Sequence, residues 1–227
     1  MELIEIPKYN ASAEWMIIVF IIVMFLIAWV KNTYPRRFSQ LLRSLINKQS
    51  LLQVKREELV FSHRGSIVLT IVFVIIGGIF LTLAGVVFNF KIIDQNDHLL
   101  TQFGYWCLVI LLIYFLKWVV NGLFFGLFQQ PELFQTQLFV VSIFNKAIGL
   151  TLLPITLLAA YLPVNTSAFL IQFGVVLWAI FIVYRLIKEV SISLSFKIPW
   201  LYIIFYLCAF EISPFIIGIK LVSVLNN

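Results

Sequence analysis

Lys117, Lys146 and Glu211 each sit midway along a separate apolar run that is long enough to cross a bilayer. A carboxylate and amines at bilayer depth are the parts used in proton- and ion-coupled transport. The same groups can instead pair to fix helix register. They can also leave an excess positive charge for an anion, a lipid headgroup or a partner's acidic residue to balance. A lone charge in lipid costs about 2.5–3.5 kcal/mol on insertion scales, so three left unpaired would cost on the order of 8–10 kcal/mol. A burden of that size implies a structural or functional return.

Six apolar runs carry these residues: 15–30, 67–90, 103–128, 133–162, 168–187 and 198–224. Runs three and four form an antiparallel hairpin around Gln129–Glu132, with Lys117 14 residues before Pro131 and Lys146 15 after it. Both lysines then lie roughly 17 Å from that turn, at a helical rise of 1.5 Å per residue. Glu211 falls about 12 residues into run six, at a similar depth. The count predicts one polar layer of Lys117, Lys146 and Glu211. Asn121 lies one turn from Lys117, Ser142 lies one turn before Lys146, and Asn145 is its neighbour. Gly149 would permit close packing beside Lys146. Ser213 and Pro214 loosen the backbone beside Glu211.

Composition agrees with the runs. The chain is 62% hydrophobic and only 11% charged, with a mean hydropathy of +1.05, whereas globular domains are about a quarter charged. The reading is all-α: a polytopic membrane protein with about six transmembrane helices in a single domain over 1–227. Run one is bracketed by Trp15 and Trp29 at interfacial depth. No basic n-region or cleavage site precedes it, so it is expected to stay as an anchor. Run four carries Pro154, which predicts a kink or strong tilt. In run two, Gly78 and Gly85 are seven apart, as are Gly77 and Ala84, a spacing that lets helices approach closely. Cys107 and Cys208 fall at different depths and are read as small apolar fillers.

The net charge of +6 is unevenly placed. Lys31, Arg36, Arg37, Arg43, Lys48, Lys55, Arg56 and Arg64 lie between runs one and two, and Arg185, Lys188 and Lys197 lie around the link between runs five and six. Only Lys8, Lys91 and Lys220 fall on the other side. This positive-inside bias puts both termini outside the cytoplasm. The basic 31–65 segment is then cytoplasmic. Its Phe38, Leu41, Leu42 and Leu45 recur at helical spacing and predict an amphipathic helix lying in the headgroup region. Charges that flank spans answer to lipid and topology, so no nucleic-acid partner is expected.

No P-loop, His-Glu-x-x-His, Cys-x-x-Cys or Gly-x-Ser-x-Gly motif occurs, so an enzyme is not expected, nor a cofactor or metal site. His63 and His98 are expected on opposite sides of the membrane. Asp94, Asp97 and His98 read as a solvated outer turn. A faint internal echo remains: Gln102-Phe103-Gly104 precedes Tyr114 by the spacing at which Gln172-Phe173-Gly174 precedes Tyr184.

The stretch Tyr206-Leu-Cys-Ala-Phe-Glu211-Ile-Ser-Pro214, closing on Ile219-Lys220, resembles the C-terminal signature of a bacterial inner-membrane family known as domain of unknown function 4271. Tyr34-Pro35-Arg36-Arg37-Phe38 and Phe144-Asn145-Lys146 are similar to it too. The resemblance implies a multi-spanning bacterial inner-membrane protein and no particular reaction. The expected role is non-enzymatic, an accessory or assembly component of a cell-envelope complex, with membrane lipids and other envelope membrane proteins as partners. The alternative is a small transporter or channel for an anion, a proton or a lipid.

Overall fold

The computed structural model describes residues 14–35, 63–88, 99–128 and 131–195. They form five α-helices: α1 (Glu14–Thr33), α2 (His63–Val87), α3 (Leu99–Phe128), α4 (Pro131–Tyr161) and α5 (Val164–Ser195). No strand occurs among the described residues. Each helix contains a stretch long and apolar enough to cross a membrane. Run six, with Glu211, and the amphipathic stripe Phe38–Leu45 lie outside the described residues.

Local signals set the helix ends. Glu14 in the first turn of α1 and Lys31 in its last both suit the helix dipole. Pro35 then disfavours helical backbone at Tyr34. Pro131 opens α4, where its missing N–H has no intrahelical partner to lose. The turn from α4 to α5 is held by Ser167, whose N–H donates to the Pro163 carbonyl (2.9 Å). Its hydroxyl donates back across the turn to the Ala159 carbonyl (2.7 Å).

α4 runs as helix from Pro131 through Pro154 to Tyr161. The proline ring faces outward, on an exposed position. Thr151 and Thr156 flank it. The Thr151 hydroxyl donates to the carbonyls of Ala147 (3.1 Å) and Ile148 (3.0 Å), and that of Thr156 to Leu153 (2.9 Å). These bonds satisfy both hydroxyls within the helix, leaving the apolar surroundings undisturbed.

α2 is the hub of the bundle, packing against α1, α3, α4 and α5. That position explains why its sequence is apolar all round rather than striped. Val72, Ile76, Ile79, Phe80 and Leu83 are buried with Met16, Phe20 and Val23 of α1, Ile148 and Leu152 of α4, and Ile171 of α5. α3 leans on α2 far more than on α4, its sequence neighbour.

The close approach read from Gly77 and Gly78 is present. A Cβ on Gly78 would lie 2.5 Å from the Cys107 sulfur, and one on Gly77 would lie 3.1 Å from Ile110. Gly85 has open space instead, so the small-residue face serves packing only along part of its length. Cys107 is a free thiol in that contact. The Gln-Phe-Gly echo does not repeat an environment: Gly174 is pressed against the Phe80 ring, whereas Gly104 has nothing within 4 Å.

Candidate functional site

The buried charged residues among those described, Lys146, Arg185 and Glu189, lie toward the end of the bundle where α2 begins. Lys146 is buried to 2% exposure, and its ammonium donates to the Ser66 hydroxyl. Ser66 is the fourth residue of α2. Helical side chains lean toward their own N-terminus, so the Lys146 stem carries its charge back toward this end of the bundle. Gly149, one turn further along α4, meets Phe73 of α2, so α2 and α4 run parallel.

Beside Lys146, Asn145 faces the other way. Its amide nitrogen donates to the Tyr114 hydroxyl oxygen on α3 (2.6 Å). Its amide oxygen accepts from the Arg185 guanidinium on α5 (3.4 Å). Arg185 in turn pairs with Glu189 one turn on, Nε to Oε1 at 3.4 Å, with both side chains buried. The Phe73 ring meets Tyr114 edge-on at 6.0 Å, closing the network on the α2 side. Tyr184, next to Arg185, packs against Phe144 (5.7 Å) and lies under the Lys188 ammonium (5.5 Å). A continuous polar chain therefore joins Tyr114, Asn145, Arg185 and Glu189 across α3, α4 and α5, while Lys146 ties α4 to α2.

The Lys146–Ser66 contact also fixes the offset of α4 against α2. Lys146 lies 15 residues past the start of α4 yet reaches the first turn of α2. At 1.5 Å per residue, less the lysine stem, the start of α4 at Pro131 lies on the order of 10 Å beyond the start of α2. The Lys146 charge sits near the end of the bundle at which α2 begins.

Of the residues singled out from sequence, Lys146 and Asn145 make interhelical bonds, and Ser142 is half-buried one turn before them. Lys117 and Asn121 are carried by the α3 backbone, with side chains outside the described set, and Glu211 lies outside the described residues. Ser66, Tyr114, Arg185 and Glu189 were missed as site residues. Arg185 was counted with the flanking topology charges, yet it is buried in the bundle. The available signal was the four-residue spacing of Arg185 and Glu189, which places them on one helix face.

Chemically, the network offers a permanent cation, a lysine, a carboxylate, an amide and a phenol in low-dielectric surroundings. Among the described residues no three His, Cys, Asp or Glu side chains come together as metal ligands would.

A family model described as a domain of unknown function, DUF4271, matches residues 16–222, nearly the whole chain. No curated protein and no solved structure matches it.

Proposed function

Since the chain belongs to the DUF4271 family, whose description assigns no activity, we propose a function from its own geometry. It is a multi-pass protein of the bacterial inner membrane that acts without catalysis, as an accessory or assembly component of a cell-envelope complex. One observation supports this reading above others: Lys146, Asn145 and Arg185 make side-chain bonds to neighbouring helices. Lys146 binds Ser66, Asn145 bridges Tyr114 and Arg185, and Arg185 holds Glu189. Such ties fix the register of helices that lipid alone cannot align. The outward faces of α1, α3 and α5 meanwhile carry large exposed apolar side chains, among them Phe25, Leu108 and Ile180, which suit lipid or a membrane partner.

A second reading, a small transporter or channel for an anion, a proton or a lipid, draws on the burial of Glu189 beside Arg185. An intramembrane carboxylate next to a fixed cation is a usual component of ion coupling.

Affinity purification in mild detergent, with identification of co-purifying proteins, separates the two readings. The expected result is a membrane protein retained in fixed stoichiometry. A chain that purifies alone and conducts ions in proteoliposomes, with the flux lost on Glu189→Gln, would overturn the assembly reading.

The proposed orientation places both termini outside the cytoplasm, with the α4–α5 turn on the same side. Cysteines introduced at Asn10 and at exposed Asn165, the second residue of α5, should react with impermeant thiol reagents on intact cells. Labelling that appears only after cell disruption would reverse the topology.

A further inference from the structure

α5 turns one long face away from the bundle. Phe169, Val176 and Val183 stand on it with more than half their surface exposed, and Asn165, Gln172 and Ala179 are exposed between them. The steps along 165, 169, 172, 176, 179 and 183 alternate between four and three residues. This is the 3.5-residue period that keeps one seam facing a partner helix.

Gln172 is the unusual member of this seam. No hydrogen bond joins its side chain to any described residue. Its depth follows from Gly174, two residues on, which packs against the Phe80 ring. α5 runs antiparallel to α4 and so to α2, which puts Gln172 level with about residue 82 of α2. That is roughly 7 Å inside the end of α2 at Val87, within its apolar stretch Gly65–Val87. A primary amide there presents two N–H donors and a carbonyl acceptor to acyl chains that can bond neither. A second helix with a matching amide removes that cost.

We propose that the chain forms a twofold homodimer through α5, with Gln172 hydrogen-bonded to its counterpart in the second copy. An amide is both donor and acceptor, so it is its own complement. A twofold axis along the membrane normal brings residues of equal depth together. In a parallel pair, alternate seam positions meet their own counterparts, and a single polar residue there sets register and pairing. Ala179, one heptad after Gln172, lets the two helices approach closely. Phe169, Val176 and Val183 supply the apolar packing on either side, and no charge interrupts the seam between 165 and 183. The inference rests on the reading that α5 crosses a bilayer.

The test uses the full chain with Cys107→Ala and Cys208→Ala, carrying Ala179→Cys and oxidised with copper phenanthroline in membrane vesicles. A disulfide-linked species of twice the chain mass is expected, and Leu112→Cys on the exposed face of α3 should give none. Adding Gln172→Leu to Ala179→Cys, at a position where folding does not depend on the amide, should weaken association by about three- to thirtyfold. Monomer alone in vesicles that retain the chain through alkaline carbonate would overturn the dimer and leave the membrane reading intact. A crosslink to a different protein, or a dimer indifferent to Gln172→Leu, would overturn it equally. Release of the chain by carbonate would overturn the membrane reading and the dimer with it.

Discussion

Glu189→Leu is expected to destabilise the folded bundle by about 3–5 kcal/mol, because it leaves the Arg185 guanidinium buried without its carboxylate. Both side chains are nearly inaccessible, and the pair lies one helical turn apart on α5 at 3.4 Å. Asn145 offers Arg185 only a neutral oxygen, also at 3.4 Å, which stabilises the charge far less than a carboxylate does. The double replacement Arg185→Leu, Glu189→Leu should lose much less than Glu189→Leu alone, since removing both members of a buried pair removes its desolvation penalty as well. Unfolding in mixed micelles, followed by far-ultraviolet circular dichroism, measures the difference. A double loss equal to the sum of the separate Arg185→Leu and Glu189→Leu losses would show that the two residues contribute separately, and the pair would then have no part in holding α5 in place. If the double variant folds with wild-type stability but no longer retains its co-purifying partner, the pair belongs to recognition as well as to structure.

The helices were legible because length and hydropathy are local properties. Runs one to five map onto α1 to α5 with ends displaced by up to a few residues, except at the end of α5. There the run was closed at residue 187, whereas the helix continues to Ser195. Charged side chains ended the apolar count, but they do not break a helix. Arg185 and Glu189 fold back on each other along the helix face, so the backbone passes them without interruption.

The site was less legible for a related reason. Depth along one helix can be counted, but the offset between helices cannot, because it depends on packing. Lys146 was singled out as a charge within an apolar run, and its side chain is buried. Its partner Ser66 is an ordinary residue at the start of another helix, and only the parallel packing of α2 on α4 brings the two together. Tyr114 drew notice through its place in the Gln-Phe-Gly echo, when its role is to accept from Asn145. Nothing in the spacing of a single run distinguishes a tyrosine bonded between helices from one on the outer side of the bundle, such as the partly exposed Tyr184.

Gly149 is where this packing is most sensitive. A Cβ there would lie 2.9 Å from the Cα of Phe73 and 3.1 Å from its Cβ. The obstruction is backbone rather than the end of a flexible side chain, so α2 and α4 must separate to admit even a methyl group. Gly149→Ala should therefore destabilise by about 1–3 kcal/mol, the usual penalty for overpacking, and Gly149→Leu by more. Helix propensity works in the opposite direction, favouring alanine over glycine by about 1 kcal/mol. Gly85→Ala provides the matched control, since a Cβ at Gly85 meets nothing within 4 Å and propensity alone should make that change neutral or stabilising. The same micelle titration should thus give opposite signs at two glycines in neighbouring helices. The loss at Gly149 should also reach the polar network. Lys146 is three residues away on the same helix, and its bond to Ser66 spans the interface that must open. A combined Lys146→Met, Gly149→Ala variant should consequently lose less than the sum of the two single changes, as expected for residues that share one contact. Strict additivity would place the Lys146–Ser66 bond and the Gly149–Phe73 approach in separate structural units, with α2 and α4 joined at two independent points.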